Sequence, residues 1–127
     1  MKAGKYYIGD PCYIFDKSWM KILEKTNFFH PEGYFTLFER KCFIGNTAYG
    51  DGTYVDNFNR KYAVDAGLLS ILPTFLIKID NKVSRLQIKN SGYMHIVKME
   101  KGFECSVRAG LFKFGPIRID TREWKYV

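Results

Sequence analysis

Three short segments hold residues whose types and spacing could do chemistry: Gly9-Asp10-Pro11-Cys12-Tyr13, Tyr49-Gly50-Asp51-Gly52-Thr53-Tyr54 and Val64-Asp65-Ala66-Gly67. Each sets an aspartate beside a residue that bends or fixes the backbone, and two add tyrosines. Such an aspartate either accepts bonds from nearby backbone amides or points into a site. In the first segment, Asp10 pins a turn on one reading. On the other, Cys12 is a nucleophile with His30 or His95 as its base, although neither histidine sits in a cysteine-hydrolase signature. The second segment is dense in oxygen and invites a calcium reading. An EF-hand loop needs glycine at its sixth position and glutamate at its twelfth; here glycine comes second, and Tyr62 stands where the glutamate would be. A hairpin or exposed binding loop offering Tyr49, Asp51 and Tyr54 fits better. In the third segment, Asp65 either caps the turn into Leu68-Leu69 or lines a pocket and receives donors from a ligand's base or sugar. Gly67 permits positive φ or close backbone approach.

Anionic ligands would need cations, and the chain has them. Its net charge is +7. Residues 1–77 carry nine Lys/Arg against eight Asp/Glu, and residues 78–127 carry eleven against five. The excess therefore lies in the second part, where Arg108, Lys113, Arg118 and Arg122 stand out. Lys113 lies between Phe112 and Phe114, and Arg118 between Ile117 and Ile119, so strand alternation turns each cation away from its apolar neighbours. These cations form a wall for phosphates, or they are the wet side of amphipathic strands. Trp124 and Tyr126 could stack on bases or seal the end of a barrel. The three cysteines are far apart, no CxxC pair exists and only two histidines are present, so no structural zinc is expected. No P-loop, GxGxxG, HExxH or GxSxG occurs, and no cofactor is expected.

The elements that must position these groups read as mainly β. The 127 residues are 46% hydrophobic and 17% aromatic, which suits one folded domain with a real core. Lys5 to Ile8 reads as a strand broken by Asp10-Pro11. Residues 16–25 read as a helix, with Trp19, Ile22 and Leu23 on one stripe. Tyr34 to Glu39, Lys41 to Gly45 and Tyr62 to Asp65 read as strands, and 46–59 as loop or hairpin. Leu68 to Leu72 is a buried helical turn or strand. A meander follows at Phe75–Ile79, Leu86–Lys89, His95–Met99, Phe103–Arg108, Leu111–Phe114 and Ile117–Asp120, with turn residues between. The expected fold is α+β and mainly β, a compact barrel or sandwich with one N-terminal helix near residues 16–25. The opening residues lack the apolar core of a secretory signal, and no apolar run is long enough to span a bilayer. A cytoplasmic protein without membrane contact is expected.

The order of GDPCY at 9–13, YGDG at 49–52, VDAG at 64–67 and FGPIRIDT at 114–121 resembles a group of small phage-encoded and bacterial β-rich proteins. The resemblance covers most of the chain and implies a phage or mobile-element origin. By size, charge and tyrosine content the chain is also similar to phage sponges that bind cyclic nucleotides and disarm host signalling. The expectation is a non-enzymatic protein that sequesters an anionic small molecule, with a cyclic oligonucleotide foremost. Arg108, Lys113 and Arg118 would take phosphates, and Tyr13, Tyr49 and Tyr54 would face bases. Asp10, Asp51 and Asp65 would accept ring or ribose donors. A homo-oligomer would enclose the ligand; a nucleic acid polymer is a lesser candidate. A module that blocks a host protein and a nucleotide hydrolase or lyase built on Asp10, Asp51, Asp65 or His95 are the alternatives.

Overall fold

The structure is a computed structural model, and it describes residues 1–122. Its centre is an antiparallel five-stranded sheet. In chain order its strands are β1 (Gly4–Gly9), β2 (Gly33–Leu37), β3 (Arg40–Asn46), β6 (Leu68–Pro73) and β7 (His95–Met99), arranged spatially β2-β3-β6-β1-β7. The hairpin β4 (Gly52–Val55) and β5 (Lys61–Val64) forms a second sheet, and the meander β8 (Cys105–Arg108), β9 (Leu111–Phe114) and β10 (Ile117–Asp120) a third. A bridge between Asp56 and Ile119 joins the hairpin to the meander. Among the described residues two helices, α1 (Trp19–Lys25) and α2 (Arg85–Ser91), and 3-10 turns at Pro11–Tyr13 and Thr74–Lys78 accompany the strands.

The side-chain alternation of the central sheet builds a core on each face. Tyr6, Ile8, Phe43, Leu69, Ile71 and Val97 face the two small sheets, where they meet Tyr54, Tyr62, Phe112, Phe114 and Ile119. Tyr7, Ile44, Leu68 and Leu72 face the helical layer and meet Ile14, Phe15, Ile22, Phe29, Leu76 and Ile88. Because β6 has a core on both sides, its run Leu68-Leu69-Ser70-Ile71-Leu72 is buried throughout, as expected of a central strand covered on both faces. Each fully buried Phe contributes about 1.5–3 kcal/mol relative to exposure. Sheet and meander approach closely at Gly45, where a Cβ would lie 2.8 Å from the Phe112 ring.

The mainly-β α+β expectation matches this architecture, in its sandwich form. Residues 95–99, 111–114 and 117–120 are strands as read. Two expected strands are not strands. Phe75–Ile79 lies mostly in the 3-10 turn after Pro73, and Leu86–Lys89 is the body of α2. The reason for the second difference is local. Ser84 and Gln87 form a reciprocal capping box, and Gly92 ends the helix at φ +75°, both strong helix-boundary devices. The first helix also starts later than expected, at Trp19. There Asp80 accepts from the Asp16 and Ser18 amides and from the Ser18 hydroxyl, at 2.7, 3.1 and 2.7 Å. Trp124 and Tyr126 lie outside the described residues. Among the described residues, no helix is long and apolar enough to cross a membrane.

Candidate functional site

Asp10 sits where the acidic segments adjoin. It is fully buried. Its Oδ1 accepts from the Cys12 amide at 2.9 Å, and its Oδ2 from the amides of Asp65 and Ala66 at 2.9 and 2.7 Å. The first segment is thereby tied to the third. The third meets the second at Gly67, whose carbonyl accepts from the Thr47 amide at 3.0 Å. The Thr47 and Tyr54 hydroxyls both donate to the Gly50 carbonyl, at 2.6 and 2.9 Å. The segments thus adjoin where β1 and β3 end and β6 begins. Burial pushes the Asp10 carboxyl above the usual carboxylate range despite its three amide donors.

This arrangement spends most of the groups it gathers. The Asp10 carboxylate is occupied by backbone, and Tyr54 is a core residue with its hydroxyl turned inward. Burial, and then the Asp10 charge, push the Cys12 thiol far above its usual value, the wrong direction for a nucleophile. His95 donates from Nε2 to the Lys61 carbonyl at 2.8 Å. Burial holds its imidazole below the ordinary histidine value. Tyr49, Asp51 and Asp65 are exposed, and Tyr13 is half-buried. The Tyr13 hydroxyl donates to Asp65 Oδ2 at 2.8 Å, and its ring meets the exposed Tyr93 ring edge-on at 5.2 Å.

Arg108, Lys113 and Arg118 share the outward face of the meander, with Lys113 directly opposite Arg118. The inward face carries Val107, Phe112, Phe114, Ile117 and Ile119. The concavities beside them are electrostatically mixed. Lys113 borders a groove of about 820 Å³ that also holds Glu100 and Glu104. Arg118 borders a cleft of about 350 Å³ that also holds Asp56 and Asp120. None of the acidic segments' aspartates lines either one.

A different concavity has one sign of charge. A cleft of about 470 Å³ runs between α2 and β7. Arg85 and Lys89 line it from the helix, Lys98 and His95 from β7 and Lys5 from β1. Leu86, Ile96 and Val97 supply its apolar wall, and no carboxylate lines it. Residues 73–98 contain five Lys/Arg and a single acid, Asp80, which is committed to the start of α1. Tyr93, whose ring meets that of Tyr13, stands two residues along the chain from His95. Sequence reasoning missed this cleft because it read 86–89 as a strand, which would hold Arg85 and Lys89 about 13 Å apart along an extended segment instead of about one helical turn apart. The helix signal that places them together was the Ser84/Gln87 spacing followed by Gly92.

Asp56 was also missed as a structural centre. It is buried, and it accepts from the Phe58 and Arg60 amides, Arg60 Nε and the Tyr62 hydroxyl, at 2.7, 3.0, 2.7 and 2.7 Å. Burial alone would push its carboxyl up; the Tyr62 and Arg60 bonds outweigh that and hold it below the usual range. Among the described residues, no group of three or more His, Cys, Asp or Glu is placed to hold a metal ion. Comparison with protein families, curated proteins and solved structures finds no match.

Proposed function

We propose that this protein binds and sequesters a small phosphate-bearing anion of the nucleotide class, without chemistry, in the cleft between α2 and β7. The favoured ligand is a cyclic oligonucleotide signal, and the role served is a phage-type countermeasure to host signalling. One observation carries the reading: four cations from three elements line a single cleft with an apolar wall and no carboxylate. Arg and Lys at such a site give charge-assisted bonds to phosphate oxygens. Leu86 and Ile96 accept the apolar edge of a sugar or base. The cleft is open to solvent, so a second copy covering it belongs to the same proposal. Arg108, Lys113 and Arg118 then serve as a solvated face rather than as phosphate ligands.

Calorimetric titration with linear and cyclic mono-, di- and trinucleotides tests this. Binding at micromolar protein, with the ligand recovered intact on heating, is the expected result. No heat with any of them would overturn the proposal, and loss of the intact ligand would overturn its binding-only form.

A further inference from the structure

Like charges are paired twice in this cleft. Lys5 and Lys98 stand directly opposite each other on β1 and β7, the arrangement in which like charges repel most on a sheet. Arg85 and Lys89 are one turn apart on α2, where like charges also repel. Both pairs line the same cleft, with Leu86 and Ile96 also on its wall. The compensation they receive within the chain is small. Lys98 approaches Glu100 at 3.8 Å, but both side chains are largely exposed, and such pairs contribute little. Arg85 donates to the Thr74 hydroxyl at 3.3 Å, which carries no charge. Two separate concentrations of positive charge therefore face one opening.

We infer that the cleft contains two phosphate subsites, Lys5/Lys98 on the sheet and Arg85/Lys89 on the helix. Its ligand carries two phosphate groups separated by a sugar or base. This rests on the anion-binding reading above and adds ligand valence to it. Both subsites come from one chain, so each chain holds one ligand whether or not a second copy covers the opening. A monophosphate fills one subsite and leaves the other repulsion in place. A bisphosphate neutralises both.

Adenosine 5′-monophosphate and adenosine 3′,5′-bisphosphate, titrated against the purified chain, separate the cases. The bisphosphate is expected to bind about tenfold or more tightly than the monophosphate, since each charge-assisted contact is worth that much. Lys98→Gln and Arg85→Gln should each reduce the bisphosphate preference to about twofold or less. Each should also raise the ligand-free melting temperature by about 1–2 °C, because a like-charge repulsion is removed. A surface-lysine role would not produce that combination. Equal affinity for the two nucleotides overturns the two-subsite inference and leaves the anion-binding reading standing. Absence of binding by both, in a panel where every other nucleotide also fails, overturns both. Bisphosphate preference unchanged in the two variants places the subsites elsewhere and overturns this assignment.

Discussion

Replacing Asp10 with Ala should destabilise the protein severely, and the structure sets the size of the loss. The carboxylate accepts three backbone bonds at 2.7–2.9 Å. Bonds to a charged acceptor contribute about 1.5–3 kcal/mol each, and the low end suits amides that are only partly buried. Burial disfavours the charged carboxyl and opposes these bonds, so part of their sum is returned when the charge is removed. The net expected loss is then about 3–4 kcal/mol. For a chain of this length that is a fall in melting temperature of roughly 10–20 °C. Asp10→Asn can keep one oxygen facing Asp65 and Ala66 but presents an amide to the Cys12 N–H, so its loss is about 1–2 kcal/mol. The pH dependence adds a sign. The folded-state pKa of Asp10 is raised, so its contribution is fully present below the unfolded value and is lost as pH rises through the folded one. The stability gap between wild type and Asp10→Asn should therefore be wider near pH 4 than at pH 7. Urea melts of both variants at the two pH values measure this. An Asp10→Ala variant that melts within about 2 °C of wild type, on the scale used above, would refute the clamp. It would return Asp10 to the list of groups free to meet a ligand.

The other buried aspartate should behave with the opposite sign. The Asp56 carboxyl is held low, so its contribution is present above the unfolded pKa of about 3.9 and is lost as pH falls through the folded one. Asp56→Asn should cost about 2–3 kcal/mol at pH 7, with the gap closing in acid melts below that value. Gly45→Ala should cost about 1–3 kcal/mol by overpacking, because its new methyl would meet Phe112 at 2.8 Å and Val107 at 3.0 Å; the urea midpoint reads it. Cys12, though half-buried rather than enclosed, should alkylate with iodoacetamide at pH 8 far more slowly than a free thiol. Its thiolate is disfavoured by burial and by Asp10, and fast labelling would contradict that picture.

The meander strands were legible because each alternates cleanly. Phe112-Lys113-Phe114 and Ile117-Arg118-Ile119 allow one orientation with the apolar side inward, and the structure adopts it. The second helix was not read because Leu86-Gln87-Ile88-Lys89 alternates like a strand over four residues. Its decisive signals, Ser84, Gln87 and Gly92, lie around that window. The adjacency of the acidic segments followed from no spacing rule. It is made by bonds from Asp10 to residues 65 and 66, and sequence holds no record of which amide a carboxylate will find. The same holds for the cleft. Lys5 and Lys98 lie far apart in the chain, and only the antiparallel register of β1 with β7 sets them opposite each other.

The two kinds of charge in this molecule stand in different electrostatic states. Among the described residues, every buried side-chain nitrogen or oxygen has a hydrogen-bond partner. Asp10 accepts three bonds and Asp56 four, so neither has an energetic need that a ligand could meet. A buried carboxylate must be satisfied for the chain to fold at all. The α2–β7 cations are solvated, and water lets a fold tolerate two like-charged pairs at a cost of a few tenths of a kcal/mol each. That tolerated repulsion is released when an anion enters, and the gain adds to affinity only there. Binding energy is therefore to be sought where the fold leaves charge least compensated, at Lys5, Arg85, Lys89 and Lys98. Asp10, in the first of the aspartate bends whose sequence suggests chemistry, acts by holding the end of the sheet in place.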